Sequence, residues 1–213
     1  MGLRRLFPPS VGTFVVRGSE PRSSTHPELI AFLLAMALAL YFYATPKFLA
    51  DLGIPDHRIQ PVQTIGQISE IPALLLLPLA LRRLGIKGTF AVGLAAWTLR
   101  FLIFSLGWPV WLVVASIGLH GLCHVFILIV AQLYVDSQCP PNVRASAQNL
   151  LAVLAFGIGL PAGFVLSGLL TAAFTEDAAT DYQQLFLLPT LILGSLLIVF
   201  LLGFRAPGSA AER

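Results

Sequence analysis

Glu70 is alone in an apolar run: the eleven residues on either side of it, from Ile59 to Leu81, carry no charge. As a helix, such a run is long enough to cross the roughly 30 Å hydrocarbon core of a bilayer. An ionisable group inside such a segment is expensive to keep, and by default it marks a route for a substrate, an ion or a proton. The rest of the chain has the same character. Hydrophobic residues make up 57% and charged residues 11%, against about 25% charged in soluble domains. A chain of this kind dissolves in lipid rather than in water.

At 213 residues there is room for about six crossings of ~20 residues with short connections. The two cysteines do not read as a staple: Cys123 lies in an apolar run and Cys139 in a polar loop. If the intervening stretch is helical they stand roughly 20 Å apart, too far for a disulfide. No cysteine–histidine cluster has metal-ligand spacing, so neither a metal nor any other cofactor is expected. The net charge of +3 does not indicate nucleic-acid binding, because the basic residues flank apolar runs, as membrane orientation requires. Arg4 and Arg5 resemble the start of a secretory signal, but Pro8, Pro9, Gly12 and Arg17 leave no apolar core behind them. Residues 1–28 are therefore read as a polar cytoplasmic tail, 29–204 as a transmembrane bundle, and 205–213 as a second cytoplasmic tail.

Six crossings are expected, at about Leu29–Phe48, Pro61 to just before Arg82, Gly88–Leu106, Val110–Tyr134, Ala147–Phe174 and Leu185–Phe204. With the N-terminal tail placed inside, ten lysines and arginines fall on the inner side, among them Arg82, Arg83, Lys87 and Arg144. Only Lys47 and Arg58 fall outside, so both termini are predicted to be cytoplasmic. Arg100 is left over, within the third crossing.

Gln67 and Glu70 are three apart and share a helix face. Together they present an amide and a carboxylate, a pair suited to vicinal hydroxyls or a nitrogenous ring edge. Pro72 withholds an amide from the Ile68 carbonyl and favours a kink there. The alternative is a buried glutamate retained for structure. Arg100 lies at a depth similar to that of Glu70 on the next, antiparallel helix. Either the two form an ion pair or the long arginine side chain reaches to the outer headgroups. His120 and His124 share a face of the fourth crossing, which allows a proton relay, a substrate contact or a structural role. Tyr41, Tyr43 and Thr45 lie toward the outer end of the first crossing, where interfacial aromatics are expected. Tyr43 is also a candidate substrate contact. Gly159, Gly163 and Ser167 form a small-residue ridge that admits a closely packed helix.

Four strings, in order, resemble the C-terminal half of a major facilitator superfamily transporter of the nucleoside:H+ symporter family. They are Gly66-Gln67-Ile68-Ser69-Glu70, Arg83-Leu84-Gly85-Ile86-Lys87, Ala96-Trp97-Thr98-Leu99-Arg100-Phe101 and Arg144-Ala145-Ser146-Ala147-Gln148. The resemblance implies an all-α membrane protein, a six-transmembrane-helix bundle equivalent to that half. It also implies a substrate site that includes Gln67 and Glu70, to which His120, His124 and Tyr43 are added as candidate contacts from the residues alone. Proton coupling or an ion pair would rest on Glu70, Arg100 and His124, and inner-gate loops would carry Arg82, Arg83 and Arg144. The pattern departs from the family in the fourth crossing, where Gly121-Leu122-Cys123 leads to His124-Val125 in place of an aromatic–aspartate pair. His124 is then the available titrating group.

The function expected is transport of a small polar solute, by resemblance nucleoside:proton symport through alternating access. The partners would be a nucleoside, protons, the bilayer (a bacterial inner membrane) and an N-terminal six-helix half or second chain. The alternatives are a non-transporting scaffold or regulatory protein and a facilitator for another solute. An intramembrane enzyme is not expected, because the chain has no paired aspartates, HExxH motif or Gly-x-Ser-x-Gly elbow.

Overall fold

The structure, a computed structural model, describes residues 27–203, with side chains from Ile30 onward except at position 31. Residues 1–26 and 205–213 of the expected tails lie outside the described residues, whereas Pro27 and Glu28 already belong to the first helix. Within the described residues the chain is a helical bundle. Helix α1 spans Pro27–Asp51 and α2 spans Asp56–Leu106. The next segment is composite: α3 (Val110–Ile117), a turn, α4 (His120–His124), a π-helical stretch Val125–Ile129 and α5 (Val130–Gln138). Then come α6 (Arg144–Ala152), a second π-helical stretch Val153–Gly159, α7 (Leu160–Ala173) and α8 (Tyr182–Gly203). Among the described residues, five helical stretches are long and apolar enough to cross a membrane.

The longest stretch, α2, has 51 residues and would run about 77 Å if straight, more than twice the hydrocarbon thickness. It is not straight. Gly85 has φ 66° and ψ −176°, a backbone region essentially restricted to glycine. Residues before the break (first arm, 56–84) and after it (second arm, 86–106) both touch α4. A Cβ added to Gly66 would lie 3.2 Å from His120, and one added to Gly93 would lie 3.3 Å from the Leu122 carbonyl oxygen. The chain therefore doubles back at a single residue. The inner loop expected around Arg82–Lys87 is not a loop: Arg82 and Arg83 lie in helical turns just before Gly85, and Arg144 begins α6. The first arm begins at Asp56, ahead of the expected start near Pro61. Pro55, with φ −58° and ψ 140°, sets the entry and Asp56 supplies the first-turn acid. Backbone angles stay helical through Pro72, so the break lies at the glycine rather than the proline.

In hydrocarbon, association of helices rests on close packing rather than exclusion of water, and the small residues sit where that packing is tightest. The ridge on the fifth segment faces α1: a Cβ on Gly163 would stand 2.6 Å from Met36 Cα, and one on Gly159 would meet Phe32. An aromatic knot joins α1, the second arm and α8. Phe186 lies 5.0 Å from Phe48, 5.3 Å from Phe104 and 6.0 Å from Phe101, ring centre to ring centre. Several hydroxyls within the helices donate to their own backbone, as Thr98 does to Leu94, Ser167 to Gly163 and Thr190 to Phe186. That satisfies them where no water is available. The second π-helical stretch has a local cause: Pro161 offers no amide to the Gly157 carbonyl, and the preceding turns widen.

Short connections close the bundle. A two-residue hairpin pairs Thr175 with Thr180 and Glu176 with Ala179, and its turn residues Asp177 and Ala178 both have positive φ, as a type I′ turn requires. At the same end Tyr182 donates to Asp51 at 2.7 Å, as does Lys47. At the other end of α8, Lys87 donates to the Leu201 carbonyl at 2.7 Å, a cation meeting last-turn carbonyls.

Candidate functional site

Three helical segments converge on Glu70. Ser69, next to it, accepts the Gly121 amide at 2.8 Å and donates to the Gly66 carbonyl at 2.6 Å. This fixes the first arm against α4 at a crossing where a side chain on Gly121 would run into the Ser69 carbonyl. The crossing brings Glu70 beside both histidines: Oε1 lies 3.4 Å from His120 Nε2 and 3.3 Å from His124 Nδ1. The two imidazoles stack, 5.7 Å apart and nearly parallel at 8°. Glu70 keeps 28% side-chain exposure and His124 33%, whereas His120 is buried. Both contacts fall on Oε1, and neither uses Oε2.

Arg100 comes from the second arm and is fully buried. Its guanidinium carbon lies 4.0 Å from the Tyr41 ring centre and 4.4 Å from that of Trp97, an aromatic sandwich suited to a desolvated cation. Nη1 contacts His120 Nδ1 at 3.0 Å, while Nε and Nη2 have no partner. Neither sequence expectation for Arg100 is met. It does not reach toward headgroups, because it is buried between aromatic faces. It does not pair directly with Glu70 either, because His120 stands between them.

The outer-end aromatic expectation also needs correction. Tyr41 and Thr45 are buried, and Tyr41 stacks on His120 at 5.5 Å. Only Tyr43 is exposed, at 46%, and it faces α7, where a Cβ on Gly168 would come within 3.5 Å of its hydroxyl. Gln67 is exposed on the first arm. Gln63, one turn before it, has a buried amide nitrogen without a partner. Gln63, Gln67 and Glu70 follow the i, i+4, i+7 spacing of one helix face, a signal present in the sequence but overlooked. Arg144 lies apart from this cluster, with Nε 3.3 Å from Asp136 Oδ1. Among the described residues, no group of three His, Cys, Asp or Glu side chains is placed to hold a metal ion.

The arrangement can accept hydrogen bonds at a partly exposed carboxylate, exchange both donor and acceptor with a glutamine amide, and bring two imidazoles to one proton-accepting oxygen. It contains no nucleophile–base pair.

Known proteins resemble this chain in sequence and fold. Residues 28–209 match the family described as Nucleoside H+ symporter. Nucleoside permease NupG of Escherichia coli (strain K12) is 33% identical over 151 residues, covering 69% of this chain and 36% of the permease. Xanthosine permease of the same organism is 31% identical over 168 residues, covering 77% of this chain and 40% of the permease. A crystal structure of the nucleoside transporter NupG superposes with a TM-score of 0.71 at 26% identity, covering 84% of this chain and 48% of that one. The chain thus spans 36–40% of the curated relatives' length.

Proposed function

The chain belongs to the Nucleoside H+ symporter family, a family of membrane transporters rather than enzymes, and from that premise we propose that it forms the C-terminal half of a nucleoside:proton symporter. The two arms of α2 and the four other long apolar stretches act as six crossings, with both termini on the cytoplasmic side of a bacterial inner membrane. An N-terminal six-helix half, on the same or another polypeptide, closes over the exposed face of the first arm. The cargo sits at the midplane between the halves, which rock about it.

The observation that carries this reading is the state of Glu70. It is held on one oxygen by two imidazoles, yet it remains partly exposed. Its second oxygen accepts from a ribose hydroxyl or a base N–H, and Gln67 reads the neighbouring group in either sense. His124, the more exposed imidazole, exchanges the coupled proton with Glu70, and Tyr43 lines the approach. Arg82, Arg83 and Arg144 act at the inner gate by pairing with acids and helix ends of the other half. The chain would be co-reconstituted with a complementary six-helix half and uridine uptake measured under an inward proton gradient. Uptake should collapse in Glu70→Gln and fall in Gln67→Ala. Uptake at wild-type rate in both variants would refute the assignment.

A second reading, a non-transporting scaffold on the same fold, draws on Val125, which is buried and apolar where the family resemblance leads one to expect an acid. Uridine binding with no response to a proton gradient would favour a facilitator. Absence of both binding and uptake would favour the scaffold.

A further inference from the structure

The geometry points to His120 as a positioning residue: Arg100 holds its ring in the Nε2–H tautomer, and the ring in turn fixes Glu70 through Oε1. A guanidinium has only N–H donors, so in the 3.0 Å contact between Arg100 Nη1 and His120 Nδ1 the imidazole nitrogen must accept. The ring proton of the neutral imidazole then resides on Nε2, the atom that faces Glu70 Oε1 at 3.4 Å.

Neither partner has freedom to do otherwise. The Arg100 side chain is fully buried between Tyr41 and Trp97, and with Nε and Nη2 unpartnered, its one hydrogen-bonded outlet is the imidazole. The His120 ring is stacked on Tyr41 from α1 and on His124 from its own segment, and the Gly66 backbone closes another side. The ionisable groups around the ring are thus Tyr41 from α1, Glu70 from the first arm, Arg100 from the second arm and His124 from α4. A buried cation and a partly exposed carboxylate are joined through an oriented ring. Because Oε1 is occupied on this side, Oε2 is left for the cargo. That last step rests on the reading of Glu70 as a substrate ligand, whereas the tautomer does not.

The full chain, with 15N-labelled histidine and held in lipid nanodiscs, tests the tautomer by long-range 1H–15N spectra. Assignments come from His26→Gln, His57→Gln and His124→Gln. His120 should show a protonated Nε2 and an acceptor-type Nδ1, and Arg100→Leu should shift the ring to a mixture or to the Nδ1–H form. A proton on Nδ1 in the wild-type chain would overturn the proposal even if Arg100→Leu fails to fold, and so would an unchanged pattern in a folded Arg100→Leu. In the two-half assembly, His120→Phe should weaken uridine binding at least tenfold in the wild-type background and not at all beyond the loss already caused by Glu70→Gln. Equal losses in both backgrounds would also overturn it. A wild-type Nε2–H signature together with uridine binding indifferent to Glu70→Gln would support the tautomer while removing the reading of Glu70 as the cargo's ligand.

Discussion

Ser69 and Gly121 hold the first arm of α2 and α4 in backbone contact, the hydroxyl of one accepting the amide of the other at 2.8 Å. Everything at Glu70 depends on that crossing, because it sets the distance from the carboxylate to both imidazoles. Gly121→Ala places a methyl group into the Ser69 carbonyl and should cost about 1–3 kcal/mol. Ser69→Ala removes one hydrogen bond and should cost about 1 kcal/mol. Thermal unfolding in detergent should rank Gly121→Ala as the more damaging, and the reverse order would contradict the close-contact geometry.

Gly85 is the point of reversal between the two arms, with a positive φ and an extended ψ. Gly85→Ala introduces strain of order 1–3 kcal/mol. It should lower the unfolding temperature and also loosen Glu70 from Arg100's neighbourhood, since the arms meet only by folding back. An alanine variant as stable as the wild type would show that the chain reverses elsewhere.

The packing and the polar clasp near one end of α8 should differ sharply in worth. Phe186 is fully buried among Phe48, Phe101 and Phe104, and Phe186→Ala should cost on the order of 3 kcal/mol. The Tyr182–Asp51–Lys47 contacts are exposed, and Tyr182→Phe should change stability by less than about 1 kcal/mol. Denaturation of both variants in the same detergent checks the contrast.

His124 is the more exposed imidazole at Glu70, 3.3 Å from Oε1, and stands beside Val125 where the family resemblance leads one to expect an acid. His124→Ala should flatten the pH dependence of uridine uptake by the two-half assembly while leaving some uptake at the optimum. An unchanged pH profile would assign proton coupling to another group.

Much of the fold can be read from composition alone, because length and apolar runs dictate helices wherever backbone groups have no water to bond. The small-residue ridge at Gly159, Gly163 and Ser167 also announced a close neighbour, and that neighbour is α1. The reversal near Gly85 was legible from Arg82, Arg83 and Lys87 between two apolar runs, but its form was not: one glycine turns the chain without a separate loop. Glu70 stood out because a lone acid in an apolar run is costly. Arg100, His120 and His124 stood out as well, but the order in which they touch did not, because the Arg100–His120–Glu70 contacts join positions far apart in the chain. Matched depth on antiparallel helices left open a direct Glu70–Arg100 pair or an arginine reaching to headgroups, and only packing shows that an imidazole fills the gap. Tyr41 was misjudged for a related reason: tyrosine near a helix end suits an interface as well as a buried cation, and only the position of Arg100 decides between them.

The most direct test of the account is equilibrium binding of radiolabelled uridine to the two-half assembly, wild type against Glu70→Gln. Loss of a charge-assisted hydrogen bond of about 1.5–3 kcal/mol corresponds to at least a tenfold weaker dissociation constant for the variant. Identical affinities would contradict the claim that this carboxylate receives the cargo.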